Sequence, residues 1–267
     1  SAIMLSTADS MYGQVSQELI LDFNATYRPV ANTLRLLALS PVVSAGTLEQ
    51  RLDSLKVFTA ALGNGAPVAA LQVGYENGDY FIVRQVVSDY MRERFDVPHE
   101  TVFMVDHVEA GQDGERVLVR MYFDGQLQEL QRQPASTTDY DPRVRPWYTR
   151  AAGQPAATSP YLFYFIGKVG ATVTLKTPVP GVVIAADITL DQLSSTVSRH
   201  QITPGSEVAL IGADGKVLAY RDSGKLCHVK EDGEFRFARL PELGSAVLAF
   251  LGSDIKPLEQ SLDFDFG

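Results

Sequence analysis

The sequence is poor in cysteine and contains no long apolar run. Its single cysteine, Cys227, excludes an intramolecular disulfide and a cysteine-based metal cluster. Because no stretch of about 18 apolar residues occurs, no segment is predicted to span a bilayer. Residues 1–10 lack the basic and apolar regions of a signal peptide, so any export signal is expected to lie outside this sequence.

Basic residues are also scarce. The chain of 267 residues has 23 Lys and Arg against 32 Asp and Glu, which gives a formal net charge of −9. Binding to phosphates needs basic side chains that release counterions, so this balance argues against nucleic acid and against an anionic membrane surface as partners. Hydrophobic residues make up 45% of the chain, which is enough to bury a core and typical of a globular protein.

The sequence lacks the common enzyme motifs. There is no phosphate-binding loop, no dinucleotide fingerprint, no nucleophile elbow and no zinc-protease motif. The histidines have no metal-ligand spacing, and His107 is interpreted as an ordinary strand histidine. Asp263 and Asp265 alternate along one predicted strand and are interpreted as a solvated face. No catalytic residue, metal or cofactor is therefore predicted, and hydrolysis by paired carboxylates is the least favoured activity.

The first part of the chain has the pattern of helices. Apolar residues recur at steps of three and four, which predicts one face of a long helix within residues 1–45; they are Leu19, Phe23, Tyr27, Val30, Leu34 and Leu37. Pro29 is expected to kink this helix, and Pro41 to end it. A shorter helix is predicted from residue 47 on, so residues 1–60 are expected to form a helical spine.

From residue 66 the pattern changes to short β-rich runs separated by turn residues. This alternation predicts an α+β fold in which antiparallel sheets form two related modules in series. The larger module is expected at residues 61–200. The smaller one, at residues 201–267, is expected to be incomplete at its C-terminal end, because a strand there lacks a partner.

One short stretch, residues 137–153, combines charge and aromatic rings around the only tryptophan, Trp147. Pro146 suits the first position of a helix. Arg145, directly before it, offers a planar fork for a carboxylate. Trp147 and Tyr148 add flat apolar walls and polar hydrogens. Either a pocket for a small acid, or an internal ion-pair network with the tryptophan in the core, explains this composition.

At these residues the sequence resembles a known family. The segments YDPRVRPWYTRA (140–151), SPYLFYFIGKVGATVTLKTPV (159–179) and GVVIAADITLDQLSS (181–195) resemble the double Cache sensor domains of bacterial transmembrane receptors. The resemblance covers nearly the whole chain and implies a long N-terminal helix followed by two PAS-like modules, the larger one distal to the membrane. It also implies a periplasmic location and membrane attachment through helices outside this sequence.

In the amino-acid-binding branch of this family, one group of pocket residues binds the ligand carboxylate and acidic residues bind its ammonium. The positions of this sequence that match the family's pocket are Tyr140, Arg145, Trp147, Tyr148, Tyr161, Phe163 and Asp187. Phe163 departs from the pattern, because the family has an aspartate there. Losing a charge-assisted hydrogen bond costs about 1.5–3 kcal/mol, or roughly tenfold to a hundredfold in affinity. A carboxylate, a different amine or an uncharged metabolite is therefore as suitable a ligand as an α-amino acid.

The resemblance implies a non-catalytic, extracytoplasmic ligand-sensing domain. A small carboxylate or amine would bind in the distal pocket, and the long helix would transmit the conformational change. The alternative is a structural or dimerisation module without a small-molecule ligand, whose N-terminal helix packs against a second copy. The output region, whether histidine kinase, cyclase or chemoreceptor, is expected beyond residue 267.

Overall fold

The fold is known from a computed structural model, which describes residues 18, 21–22, 24–63, 67–111, 113–158, 160–200, 207–211, 215–229 and 235–249. The chain divides into two compact units, one of residues 29–189 and one of residues 1–28 with 190–267. The predicted α+β class with antiparallel sheets is confirmed. Within the described residues, no helix is both long and apolar enough to cross a bilayer.

The N-terminal helix enters both units. Residues 24–37 are continuously helical and are called α1; the boundary between the units falls at Pro29, inside this helix. Tyr27 and Leu34 of α1 are buried, as the three- and four-residue spacing predicts. Pro41–Ser44 forms a separate 3₁₀ turn, because proline lacks the N–H group that a continued helix needs.

Two short helices replace the single helix predicted after residue 47; they are α2 (Leu48–Leu52) and α3 (Leu55–Leu62). Thr47 and Gln50 form a capping box at the start of α2. The Thr47 hydroxyl accepts from the Gln50 N–H, and the Gln50 side chain accepts from the Thr47 N–H, both at 3.3 Å. Asp53 and Ser54 separate the helices, since their short polar side chains favour turns over helix interiors.

A ten-stranded antiparallel sheet forms the centre of the unit 29–189. Its strands are β1 (Ala70–Gly74), β2 (Tyr80–Gln85), β3 (Phe103–Ala110), β4 (Arg116–Phe123), β5 (Glu129–Arg132), β6 (Ser136–Thr137), β7 (Ala156–Ala157), β8 (Tyr161–Phe163), β9 (Lys168–Lys176) and β10 (Val183–Thr189). The strand order is β5-β4-β3-β2-β1-β10-β9-β7, with β6 beside β4 and β8 beside β9. Helix α4 (Asp89–Phe95) connects β2 to β3.

The two faces of this sheet differ in what covers them. On one face helix α3 packs, and the ring of Phe58 meets the ring of Phe81 edge-on at 5.7 Å. Residues paired across neighbouring strands share a face. The other face therefore carries the row Arg84 (β2), Ala70 (β1), Asp187 (β10) and Thr172 (β9). The chain between β6 and β9 covers this polar face, which places the candidate site there.

The unit of residues 1–28 and 190–267 contains helix α6 (Leu190–Arg199) and two short hairpins among its described residues. The strands are β11 (Ala209–Ile211), β12 (Val217–Tyr220), β13 (Cys227–Val229) and β14 (Phe235–Phe237), paired β11 with β12 and β13 with β14. Gly215 has a positive φ of 79° in the predicted turn between β11 and β12. The strand predicted near the C-terminus, with Asp263 and Asp265, lies outside the described residues.

Candidate functional site

A cavity of about 690 Å³ lies on the polar face of the sheet in the unit 29–189. Strands β1, β2 and β10 supply its floor, and residues 140–150 and 160–165 supply its walls. The floor side chains are Gln72, Tyr80, Ile82, Arg84 and Asp187, and the wall side chains include Tyr140, Arg145, Trp147, Arg150, Tyr161, Phe163 and Phe165. The volume is in the range of sites for small organic molecules.

One wall is held by a rigid loop. The Asp141 side chain caps a 3₁₀ turn, Pro142–Val144, by accepting from the Arg143 N–H at 3.0 Å. A short helix, α5 (Pro146–Thr149), follows, and its first position is proline as predicted. The Asp141 carboxylate also pairs with Arg143 at 2.9 Å and with Arg116 at 2.5 Å. Both features considered for this stretch, a pocket wall and an internal ion-pair network, are therefore present, since the ion pairs stabilise the loop that forms the cavity wall.

Trp147 is buried at the base of this wall. Its indole N–H donates to the Tyr140 hydroxyl at 3.3 Å, and its carbonyl accepts from the Thr174 hydroxyl at 2.6 Å. The ring of Tyr140 lies 4.6 Å from the ring of Tyr80 on the floor. These contacts fix the aromatic side chains before any ligand arrives.

Arg145 is exposed at the rim of the cavity. Its guanidinium lies over the Tyr140 ring at 4.7 Å, which is a cation–π distance. Among the described residues, no carboxylate forms an ion pair with Arg145. Its charge and its planar set of donors are therefore available to an acidic group in the cavity.

Asp187 is the acidic residue of the floor, and it is 4% exposed. Its Oδ1 accepts from the Gln72 amide at 2.8 Å and from the Thr172 hydroxyl at 2.6 Å. Tyr161 extends this chain, since its hydroxyl lies 2.5 Å from the Thr172 hydroxyl. Burial raises the pKa of Asp187 to about 6, and the hydrogen bond from Thr172 offsets part of that rise. A ligand ammonium beside Asp187 would favour its ionised form.

Phe163, at the position where the resembling family has an aspartate, belongs to an apolar cluster. It packs with Met91, Met104 and Tyr122 beneath the cavity wall. Its ring meets Tyr161 edge-on at 5.0 Å. Asp187 is therefore the one carboxylate among the described residues that line the cavity. An ammonium bound here would meet one negative charge and several ring faces.

The structure brings most of the predicted site residues together. Tyr140, Arg145, Trp147, Tyr161, Phe163 and Asp187 all line the cavity. Tyr148 lies outside it and borders a separate groove beside Arg143. The Tyr148 hydroxyl donates to the Gly181 carbonyl at 2.5 Å, and its ring meets Trp147 edge-on at 5.9 Å. Tyr148 thus packs against the Trp147 ring from outside the cavity.

Sequence reasoning missed the polar residues of the floor. Arg84, Gln72 and Tyr80 line the cavity, and the Tyr80 hydroxyl donates to the Gln72 amide oxygen at 2.7 Å. A usable signal was present, because Arg84 and Gln72 interrupt otherwise apolar strand segments, DYFIVRQV and PVAALQVGY. Buried polar residues need partners, so each such interruption marks a polar site.

Replacing Gly170 by Ala is expected to destabilise the domain by about 1–3 kcal/mol. An added Cβ would overlap a ring carbon of Phe163 and the carbonyl oxygen of Ile188. Urea unfolding measures the effect. Gly153→Ala is the matched control, because its Cβ would meet nothing within 4 Å, and it is expected to change stability by less than about 0.5 kcal/mol. Equal effects of the two substitutions would contradict the packing of Phe163 described above.

No model of a known protein family matches the sequence. Among proteins of known identity, Adenylate cyclase 1 of Rhizobium meliloti is 26% identical over 237 residues, which is 80% of this chain and 36% of the cyclase. The methyl-accepting chemotaxis protein PscA of Pseudomonas syringae pv. tomato is 36% identical over 92 residues, 32% of this chain and 14% of PscA. The chain thus spans about a third of the first relative and a smaller part of the second.

Solved ligand-binding domains of chemoreceptors share the fold. That of Tlp3 from Campylobacter jejuni, in complex with 4-methylisoleucine, has a TM-score of 0.53 at 15% identity, covering 84% of this chain and 73% of that one. That of CtaA from Pseudomonas fluorescens, in complex with L-valine, has a TM-score of 0.51 at 17% identity, covering 82% of this chain and 77% of that one. Likeness at such low identity shows the architecture and leaves the ligand of this chain open.

Proposed function

We propose that this chain, which has the fold of a double Cache sensor domain, is the ligand-sensing domain of a bacterial transmembrane signal-transduction receptor. It binds a small molecule with a carboxylate or amine group in the cavity of the unit 29–189. One observation carries the proposal: a single cavity presents the Arg145 guanidinium on its wall and the Asp187 carboxylate on its floor, with aromatic rings between them.

These groups suit the two ends of a small zwitterion. The Arg145 fork can bind a carboxylate with two parallel hydrogen bonds, and Trp147 and Tyr140 wall that end of the cavity. The Asp187 carboxylate can accept from an ammonium. The solved relatives with L-valine and 4-methylisoleucine support a ligand of the amino-acid class. Phe163 leaves one carboxylate fewer than the resembling family has, so the ammonium is held mainly by Asp187.

Signalling requires that the ligand bind one arrangement of the domain more tightly than another. Helix α1 is the element proposed to carry the change, since its residues up to 28 belong to one unit and those from Pro29 on belong to the other. The domain itself performs no catalysis in this proposal. It lies in the periplasm, and the output region of the whole receptor is a cyclase, a histidine kinase or a chemotaxis region. The relatives are named as an adenylate cyclase and a chemotaxis protein.

The test is a thermal-shift screen of small carboxylates, amines and amino acids, followed by calorimetry on each compound that raises Tm. Arg145→Ala is expected to weaken binding of a carboxylate ligand roughly tenfold to a hundredfold, since one charge-assisted contact is lost. Arg132→Ala is the control, because Arg132 is an exposed residue of β5 that pairs with Glu129 and does not line the cavity. A screen without any hit, or equal binding by both variants, would refute the proposed site.

The dimerisation role has its own supporting observation. Leu36 and Leu39, at the end of helix α1 and just after it, are 72% and 76% exposed. Large apolar side chains on one exposed helical face favour association with a second copy. Sedimentation of the wild type and of Leu36→Glu tests this role: a dimer that the charged variant dissociates supports it, and a wild-type monomer contradicts it.

A further inference from the structure

Arg84 is an arginine on the cavity floor whose hydrogen bonds to the described residues are incomplete. The residue is 9% exposed, and its Nη1 donates to Asp106 Oδ2 at 2.8 Å. Its Nε is buried and has no hydrogen-bond partner among the described residues. A buried donor without a partner is unfavourable, and the side chain lines the cavity. The Arg84 side chain as a whole is 11% exposed, so an acceptor in the cavity can reach the guanidinium at its accessible edge.

The charges around Arg84 leave a positive excess. Asp106 also receives two hydrogen bonds from Arg120, at 2.6 and 2.8 Å. Both arginines thus share one carboxylate, so this group of three carries a net charge of +1. Burial alone would raise the pKa of Asp106, but Arg84 and Arg120 hold it below its usual value, so the carboxylate stays ionised. The excess charge belongs to the arginines and faces the cavity at Arg84.

The rest of the cavity has the same imbalance. Arg94, Arg145 and Arg150 also line it, whereas Asp187 is the one acidic lining residue in the part of the chain that the structure describes. A ligand with a single carboxylate and a single amine carries no net charge and would leave this excess in place. A ligand with one more anionic group would reduce it.

The positions of Arg84 and Asp187 suit such a ligand. Ala70 of β1 pairs with Arg84 on one side and with Asp187 on the other. Arg84 and Asp187 therefore lie two strands apart on one face, about 10 Å between their Cα atoms. The ring of Phe165 lies 5.1 Å from the Arg84 guanidinium and bounds this end of the cavity.

We propose that Arg84 forms a second anion subsite in this cavity and that the ligand is an α-amino acid with an acidic side chain. The α-carboxylate binds at Arg145, the ammonium at Asp187 and the side-chain carboxylate at the accessible edge of the Arg84 guanidinium. This inference rests on the proposed function, since it assigns a ligand class to the same cavity.

The first test compares acids with their uncharged amides on the wild-type domain. L-Aspartate and L-glutamate are measured against L-asparagine and L-glutamine by calorimetry at low salt. Each acid is expected to bind about tenfold to a hundredfold more tightly than its amide, because only the acid gives Arg84 a charged acceptor. Equal affinities, with binding that still depends on Arg145, would overturn the Arg84 subsite and leave the proposed function standing.

The second test removes the donor. In Arg84→Met, Asp106 keeps its two bonds from Arg120, and the preference for acid over amide is expected to fall below about threefold. Arg132→Met is the control, because it removes an exposed positive charge outside the cavity and is expected to keep the preference. A preference that survives Arg84→Met overturns the subsite.

Two further outcomes are decisive. If Arg84→Met does not fold, Arg84→Lys takes its place; it keeps the charge, loses the planar fork, and is expected to reduce the preference at least about fivefold. If none of the four amino acids binds, the ligand class is overturned. The proposed function falls with it only if the broad screen of acids and amines also gives no Arg145-dependent hit.

Discussion

Replacing Asp187 by Asn is expected to raise the free energy of unfolding of the ligand-free domain by about 3 kcal/mol above pH 7. Burial raises the pKa of Asp187 to about 6, which means that ionisation of this carboxyl destabilises the folded chain. An asparagine oxygen can still accept from Gln72 and Thr172. The substitution therefore removes the buried charge and keeps the two hydrogen bonds that hold the side chain.

The effect depends on pH in a defined direction. A carboxyl with a higher pKa in the folded chain than its usual value near 3.9 holds its proton more tightly when folded. The wild-type domain therefore loses stability relative to Asp187→Asn as the pH rises from about 4 to about 6, and the difference stays constant above that range. Urea unfolding of both proteins at several pH values measures this difference. A stability difference of the same size at pH 4 would contradict the raised pKa of Asp187.

The same substitution is expected to lower the affinity for an amine-bearing ligand by about a hundredfold, because the ammonium loses its one charged partner. An ammonium favours the ionised form of Asp187, so wild-type affinity is expected to increase between pH 5 and pH 7. Calorimetry at both pH values measures it. Asp139→Asn, at an exposed position of the preceding segment, is the control and is expected to change neither stability nor affinity. A pH-independent affinity would contradict an ammonium at Asp187.

Replacing Arg51 by Met is expected to destabilise the unit 29–189 by about 3–5 kcal/mol, since it leaves a buried carboxylate without its cation. Arg51 is 1% exposed, and its Nη2 donates to Asp79 Oδ2 at 2.7 Å and to the Ala45 carbonyl at 3.2 Å. Its guanidinium also lies 4.0 Å from the centre of the Tyr75 ring. This one side chain joins helix α2 to the strand turn at Asp79.

Two measurements distinguish this ion pair from simple packing. The double variant with Asp79→Asn is expected to recover part of the lost stability, because no carboxylate is then left unpaired. In addition, burial and the nearby Arg51 charge lower the pKa of His107 to about 4. NMR titration of Arg51→Met is expected to show the pKa of His107 rising. No recovery in the double variant, together with an unchanged His107, would contradict the coupling.

Local patterns predicted the longer elements of the fold. The spacing of Tyr27 and Leu34 identified helix α1, and β-rich runs between turn residues identified the longer strands, because both signals arise within a few residues of chain. Helix α4 and the short strands β5, β6 and β7 were not predicted. Part of one cavity wall could also be predicted, since Arg145 and Trp147 are close in sequence, and Tyr140 came from the family resemblance. Tyr161, Phe163 and Asp187 came from the family resemblance.

The floor of the cavity could not be predicted in this way. Whether Arg84 faces the helices or the cavity depends on strand register, and a shift of one residue would reverse it. Register is set by pairing between distant segments, such as β1 with β10. The wrong placement of Tyr148 in the cavity also comes from a distant contact, since the direction of its side chain depends on the hydrogen bond to Gly181. The break between α2 and α3 was missed for a local reason, because the amphipathic pattern continues across Asp53 and Ser54.

The pairing of β1 with β10 has a consequence for biosynthesis. Gln72 and Asp187, which touch across this pair, are 115 residues apart in the chain. Contacts of such long sequence separation form late and slowly, because a large loop must close first. The ribosome therefore releases β1 well before its second neighbour in the sheet, β10, exists. A nascent or truncated polypeptide that ends before β10 lacks Asp187 and therefore a complete cavity floor, whatever structure its earlier strands adopt.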